Sequence, residues 1–381
     1  MIDWDSTTIQ LLFNPRMPAE EKEELLSLAR QLPQLNNHFL VATSGSSGKI
    51  KWTALPKEAV LLSAQAVNRH LEASSNDVWL NPLPLFHVGG LGIEARALLS
   101  GSKVLHTFSS AAKWEAGSYL EQLSSCKATL TSLVPAQLFD LAALQQGPPS
   151  SLRAAIIGGG RVDELLYFKA VEKGWPLLLS YGMTECCSQI ATSSLGGWKE
   201  SGFPLLQPLE HITLDNDNEG CLKICSDALL TGYLEASEVG PCFTDPKQEG
   251  WFHTKDLVEF KEGKIASVRR VDQLIKIAGE SVDLARLESI LEQVKGECLF
   301  SCGLALVPMP DERAGYTIQL LYDHAGAQIS QLVSCFNARV FPYERIRQVH
   351  LVPTIPRSPL GKTLRSAFQH RNTIDDSPYV S

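Results

Sequence analysis

The sequence predicts an α/β fold, and three observations carry that expectation. Through about the first half of the chain, short apolar runs alternate with segments of helical periodicity, the pattern of a largely parallel sheet flanked by helices. After about Gly202 the apolar runs shorten and turn residues separate them, which reads as a small antiparallel β subdomain. With 381 residues, 44% of them hydrophobic, the chain is long and apolar enough to bury a sizeable core without disulfide or metal staples.

Taken in order, the first regular segment is Met17 to Leu32, where Leu25, Leu26, Leu28 and Ala29 alternate with glutamates at helical spacing. Glu20, Glu21, Glu23 and Glu24 crowd its first turns, where the helix dipole favours negative charge. His38–Thr43 reads as a strand running into a Gly/Ser loop. Val60 to Leu71 is helical. Val78–Leu80 and Lys103–Leu105 read as buried strands, with a helix from Gly92 to Leu99 between them. Ala128–Val134 and Ala154–Ile157 add further strands. In the later region, Ile212–Leu214, Cys221–Cys225 and Val258–Phe260 are short strands, with Asp215–Gly220 and Glu262–Gly263 as turns. Helices follow at Leu284–Val294 and Ile329–Val340, and the chain turns polar from Arg371. A boundary near Asp272 divides a large domain, 1–271, from a small α+β domain, 272–381.

Composition excludes several functions. Lys and Arg number 34 against 42 Asp and Glu, a net charge of −8, which argues against a chain-wide nucleic-acid or anionic-membrane surface. No run approaches the ~20 apolar residues of a membrane-spanning helix. Met1–Ser6 lacks the basic and apolar regions of a secretory signal. The nine cysteines are scattered and form no Cys-x-x-Cys. Cys221/Cys225 and Cys298/Cys302 have no second pair or histidine cluster to complete a metal site. Free thiols in a reducing cytoplasm are expected.

The sharpest local feature is Thr43-Ser44-Gly45-Ser46-Ser47-Gly48-Lys49-Ile50-Lys51. Hydroxyls and backbone N–H groups in a glycine-rich loop donate to phosphate oxygens, and lysines neutralise them. The alternative reading is a flexible polar loop. A Walker A loop is excluded, because Thr43 stands at its first glycine and Ile50 at its Ser/Thr. Gly158-Gly159-Gly160 follows a strand but fails the dinucleotide fingerprint, since Asp163 occupies the last glycine position.

Further segments join this loop in order: Tyr181-Gly182-Met183-Thr184-Glu185, Gly250–Leu257, Arg270–Val282 and Pro356–Arg365. The ordered set resembles the adenylate-forming superfamily of acyl-CoA synthetases, peptide-synthetase adenylation domains and luciferases, from about Phe39 to Arg365. Within it, Leu83–Ile93, Ser132–Leu138 and Tyr181–Ile190 are most similar to the o-succinylbenzoate–CoA ligases of menaquinone synthesis.

The resemblance implies two half-reactions. A carboxylate attacks the α-phosphorus of ATP to give acyl-AMP and pyrophosphate; the thiol of CoA then attacks the acyl carbon and expels AMP. Thr43, Ser44, Gly45, Ser46, Ser47, Gly48 and Lys51 would hold the β- and γ-phosphates. Glu185 would carry Mg2+, and Thr184 would contact the α-phosphate. Gly158, Gly159, Gly160, Ser180, Tyr181, Gly182 and Met183 would frame the adenine. Asp256 would grip the ribose hydroxyls, with Arg270 beside it. Lys362 would bridge the attacking carboxylate and the α-phosphate. Asp272 would be the hinge on which a mobile C-terminal domain turns, bringing Lys276 and Gly279 to the nucleotide and the pantetheine arm. His87, Gly89, Ser188 and Gln189 would line the acid pocket.

Three departures from the pattern stand out: Ile50 for proline, and Lys255 and Arg269 for glycines. Relatives in this superfamily also carry a longer segment before the phosphate loop. A homo-oligomer or a partner covering that region is therefore an expectation. The leading expectation is a cytoplasmic ligase making o-succinylbenzoyl-CoA from the acid, ATP and CoA. The alternatives are an acyl- or aryl-CoA ligase or a carrier-loading enzyme for another acid, and a non-catalytic nucleotide-binding descendant.

Overall fold

The computed structural model describes residues 2–15, 17–44, 50–107, 114–162, 164–237, 240–271, 274–277, 280–298, 300, 302–311, 313–324 and 329–356. The chain divides into two compact units, Met1–Val268 and Arg269–Ser381. The division falls just before Asp272, which itself lies outside the described residues.

The first unit is built on an eleven-stranded sheet. Five strands at one end run parallel, in the order Leu177–Met183, Ala154–Ile157, Leu130–Leu133, Val78–Asn81 and Lys103–His106. Side chains alternate between the two faces of each strand. Ala154, Ile156 and Leu178 therefore enter one core, beside Trp79 and the helices Lys57–Leu71 and Val88–Ser100. Ala155, Ile157, Leu177 and Leu179 enter another, with the helices Ala116–Ser125, Pro135–Ala143 and Glu164–Glu172. Covering both faces with helices is what lets these strands read as continuous apolar runs.

At Leu177–Met183 the sheet changes hand. Ser188–Ser193 pairs with it antiparallel, with a register shift between Tyr181 and Gly182. Beyond it, in order, lie Leu206–Pro208, Lys264–Arg270, Phe252–Lys261, Cys221–Cys225 and Thr213–Asn216, the antiparallel region anticipated from the short runs and turns.

A second sheet of five strands consists of Gln10–Leu12, His38–Ser44, Ile50–Pro56, Gly232–Ser237 and Gly240–Thr244. His38–Ser44 and Ile50–Pro56 are paired antiparallel, with Thr43 opposite Lys51. One face of this sheet, with Leu40, Trp52, Ala54 and Leu234, packs with Leu25 and Ala29 of the helix Ala19–Arg30.

Two sequence expectations need correction. Ile50–Pro56 is a strand where only a loop ending was read. Lys103–His106 is the exposed edge of the main sheet rather than a buried strand, with Leu105 43% exposed.

The second unit holds the hairpin Leu274–Ile277/Glu280–Asp283, the helices Leu284–Glu297 and Ile329–Asn337, and a three-stranded sheet of Leu304–Asp311, Gly315–Tyr322 and Ile346–Leu351. Asp283 caps the first helix by accepting from the Ala285 and Arg286 amides. No helix among the described residues is long and apolar enough to cross a membrane.

Candidate active site

The carboxyl ends of parallel strands are where an open α/β sheet presents a crevice to ligands. Asn81, Leu133, Ile157 and Met183 end four such strands here. The Gly158–Gly160 turn follows directly on Ile157. Ser180 Oγ donates to the Ile157 carbonyl at 3.0 Å. A Cβ on Gly158 would stand 2.9 Å from that same Oγ, so glycine is what allows the two strand ends to close on each other. Gly182 is more constrained: a Cβ there would lie 1.8 Å from the Ser188 carbonyl oxygen.

Tyr181 and Asp256 meet across the site. The Tyr181 hydroxyl donates to Asp256 Oδ2 at 2.5 Å, and the Asp256 amide is held by Thr254 Oγ1 at 3.0 Å. Asp256 is only 3% exposed. Lys255, its neighbour on the strand Phe252–Lys261, points to the opposite face and is exposed. That departure from glycine therefore does not crowd the carboxylate.

Glu185 sits in a short 3-10 turn, Thr184–Cys186, directly after the strand Leu177–Met183. Its Oε1 accepts from the Tyr233 hydroxyl at 2.8 Å, and its carbonyl accepts from the Leu230 amide at 2.8 Å. Lys51 stands beside this pair. Its ammonium lies 5.3 Å over the Tyr233 ring and 3.0 Å from Glu235 Oε1. Thr43 Oγ1 donates to the Lys51 carbonyl at 3.3 Å. The ends of the hairpin that brackets the glycine-rich loop are thus tied to the carboxylate expected to carry a metal.

Of the residues expected at the acid pocket, His87 precedes the helix Val88–Ser100. Burial pushes its pKa down to about 4, so the ring is neutral at pH 7, and it packs against Phe86 with centroids 4.7 Å apart. Gly89 follows on the first turn, against the Leu83 side chain. Gln189 is buried, and its Oε1 is occupied by the Thr192 hydroxyl at 2.6 Å. Ser188 adopts a φ of 125°, next to Cys187 at 54°. Two non-glycine residues in this region are strained backbone at the foot of Glu185.

Two side chains that the sequence reading passed over complete the site. Tyr233 is one. Arg96 is the other: it is 1% exposed, lies over the Trp79 ring at 5.8 Å, and approaches Ser188 Oγ at 3.5 Å. Its Nε has no hydrogen-bond partner, and no carboxylate among the described residues pairs with it. Burial lowers its pKa to about 10, which still leaves it cationic at pH 7. Gly92, one turn earlier, makes room, since a Cβ there would meet Arg96 Nη2 at 3.1 Å. The sequence signal was one cation in an otherwise apolar helix face, with glycine four residues before it.

Several expected residues lie outside the described residues: Gly45, Ser46, Ser47, Gly48, Asp272, Gly279 and Lys362, together with the side chains of Ser44 and Lys276. Arg270 ends the strand Lys264–Arg270 and belongs to the second unit. No group of three or more His, Cys, Asp and Glu able to hold a metal by themselves occurs among the described residues.

The sequence profile of the AMP-binding enzymes matches residues 8–224. The chain is 31% identical, over 77% of its length, to 2-succinylbenzoate–CoA ligase of Escherichia coli (strain K12), and spans 60% of that protein. It is 29% identical, over 88% of its length, to 4-coumarate–CoA ligase-like 6 of Oryza sativa subsp. japonica, and spans 61% of it. Among solved structures it resembles o-succinylbenzoate CoA synthetase of Bacillus subtilis in complex with AMP. The TM-score is 0.72 at 24% identity, covering 88% of this chain and 70% of that one.

Proposed function

The chain belongs to the AMP-binding enzyme family, and from that premise we propose that it is an AMP-forming acid–CoA ligase acting on 2-succinylbenzoate. A carboxylate oxygen of the acid attacks the α-phosphorus of ATP. The α–β phosphoanhydride bond breaks, and pyrophosphate leaves. The CoA thiolate then attacks the acyl carbon, forming the thioester and expelling AMP. Both substrates and products are those of a cytoplasmic enzyme.

The first half-reaction brings anions together, so its catalysis must come from fixed donors and cations. Asp256, held by Tyr181, grips the ribose diol. Lys51 and the loop before it take the outer phosphates. Thr184 donates to the α-phosphate. Lys362, in the second unit, draws the attacking carboxylate onto the α-phosphorus. Glu185 would supply an oxygen ligand to Mg2+, a hard cation that favours oxygen donors and that a single protein carboxylate can help hold. When bound, Mg2+ neutralises charge on the phosphates.

The observation that supports 2-succinylbenzoate in particular is Arg96. A buried guanidinium without a counter-anion is costly, and an arriving carboxylate relieves that cost. 2-Succinylbenzoate has two carboxylates, one to be activated and one to spare. The lack of a counter-anion among the described residues at Arg96, beside Ser188 and Gly92, supports it as the partner of the spare one. Two relatives, 31% and 28% identical, are named as ligases of this acid. A second reading, an aryl monocarboxylate, draws on the 4-coumarate ligase relative.

A direct test incubates the protein with ATP, Mg2+ and an equimolar mixture of 2-succinylbenzoate, 4-coumarate, benzoate and medium-chain fatty acids, without CoA. Mass spectrometry then reads which adenylate accumulates. The proposal expects 2-succinylbenzoyl-AMP to dominate; predominance of another adenylate would overturn it.

A further inference from the structure

We infer that Tyr233 is a positioning residue that fixes both groups flanking the outer phosphates: the Glu185 carboxylate through its hydroxyl and the Lys51 ammonium through its ring. The inference rests on the reading of Glu185 as the Mg2+ ligand.

Gly232–Ser237 pairs antiparallel with Ile50–Pro56, placing Tyr233 opposite Thr53 and Leu234 opposite Trp52. Side chains alternate, so Leu234, Trp52 and Ala54 enter the apolar core of this sheet. Tyr233, Glu235, Lys51 and Thr53 therefore share the other face. There the Tyr233 hydroxyl donates to Glu185 Oε1 at 2.8 Å, the Lys51 ammonium lies over the ring at 5.3 Å, and Glu235 Oε1 stands 3.0 Å from Lys51. The approach is closed from below. The Leu230 amide donates to the Glu185 carbonyl and the Thr231 amide to the Ala54 carbonyl, each within 3 Å. Both backbone segments are thus pinned before any side chain acts.

This arrangement has three consequences. The hydroxyl takes one acceptor site of Oε1, so Oε2 is the oxygen that would be more open to a cation. The carboxylate is held in one rotamer, which spares the entropy of ordering it when the metal arrives. The ring offers its negative face to Lys51, a contact that holds an ammonium near the loop and leaves the donors not engaged by Glu235 for phosphate.

The test uses the full chain and Mn2+ as the metal probe, with a non-hydrolysable ATP analogue, and reads bound Mn2+ by electron paramagnetic resonance. Y233F keeps the ring and removes only the donor. It is expected to weaken Mn2+ about 10-fold while leaving metal-free analogue affinity unchanged. In turnover assays it should raise the Mg2+ concentration for half-maximal rate and restore wild-type kcat at saturating Mg2+. Y233L also removes the ring, and should weaken metal-free analogue binding as well. Melting curves report whether each variant is folded. If E185Q loses Mn2+ and a folded Y233F binds it like wild type, the Tyr233 inference is overturned and the Glu185 reading stands. If E185Q itself binds Mn2+ normally, the Glu185 reading fails and takes the inference with it.

Discussion

Arg96 carries the substrate assignment, and its removal has a definite expected signature. A guanidinium that pairs with the acid's spare carboxylate contributes binding energy to the acid and none to ATP. Arg96→Ala should therefore raise KM for 2-succinylbenzoate by about 100-fold, in line with a lost charge-assisted pair in a buried site, and leave KM for ATP unchanged. Initial rates at varied acid and fixed ATP measure this. An equal change in both constants would mean that Arg96 acts through folding. A second residue-scale effect concerns acid stability. His87 and His211 are each pushed down to about 4 by burial, from an ordinary 6.5. Both ring nitrogens of His211 are buried without hydrogen-bond partners. A depressed pKa means that the unfolded chain takes the proton first. The stability each neutral ring contributes is thus complete above about 6.5 and is lost as pH falls toward 4. Each contributes a slope of about 1.4 kcal/mol per pH unit within that window. His211→Phe should flatten the acid limb by one proton, as read by urea unfolding from pH 7.5 to 4.5. Tyr181, Glu185 and Asp256 were legible in the sequence because each sits in a run of several matching residues. Arg96 is not, because a cation four residues after a glycine on an apolar helix face is a weak pattern without the packing around it; Tyr233 is not, because it belongs to an ordinary-looking strand whose register with Ile50–Pro56 only pairing reveals.

Elements follow the same logic. The parallel strands were readable as apolar runs because both faces are covered, and the helix Leu284–Glu297 because its apolar positions and Asp283 cap agree. Ile50–Pro56 escaped notice because its start, Ile50-Lys51, reads as the end of a polar loop and its pairing partner precedes that loop. Lys103–His106 looked buried because a short apolar run does not tell an edge strand from a central one. The joint most sensitive to substitution is the reversal between Leu177–Met183 and Ser188–Ser193. Gly182→Ala would drive a methyl into the Ser188 carbonyl, 1.8 Å away. Backbone cannot yield there without breaking the ladder that places Glu185. A loss of more than about 3 kcal/mol is expected, the scale of severe steric disruption, together with loss of nucleotide binding. Thermal melting with and without ATP checks both.

For the whole molecule, the chain's two units divide Tyr181, Glu185 and Asp256 from Arg270 and the segment that contains Lys362. A lysine delivered from a separate unit can serve one half-reaction and withdraw for the other. Lys362→Ala should lower acyl-AMP formation by at least about 1,000-fold, consistent with loss of a charge acting only in the transition state. It should spare thioester formation from supplied acyl-AMP and CoA. Single-turnover assays of each half separate the two, and equal losses would contradict the role. Motif order is legible along the chain, whereas the position of a boundary depends on packing that no single residue encodes. The most direct measurement of the central claim is pyrophosphate release by the unmodified protein, with Mg2+ and ATP, across a panel of carboxylic acids with and without CoA. Release is expected to be rapid with 2-succinylbenzoate and much slower with its monocarboxylate analogues. Sustained turnover should appear only when CoA is present. No release with 2-succinylbenzoate, alongside strong release with another acid, would contradict it.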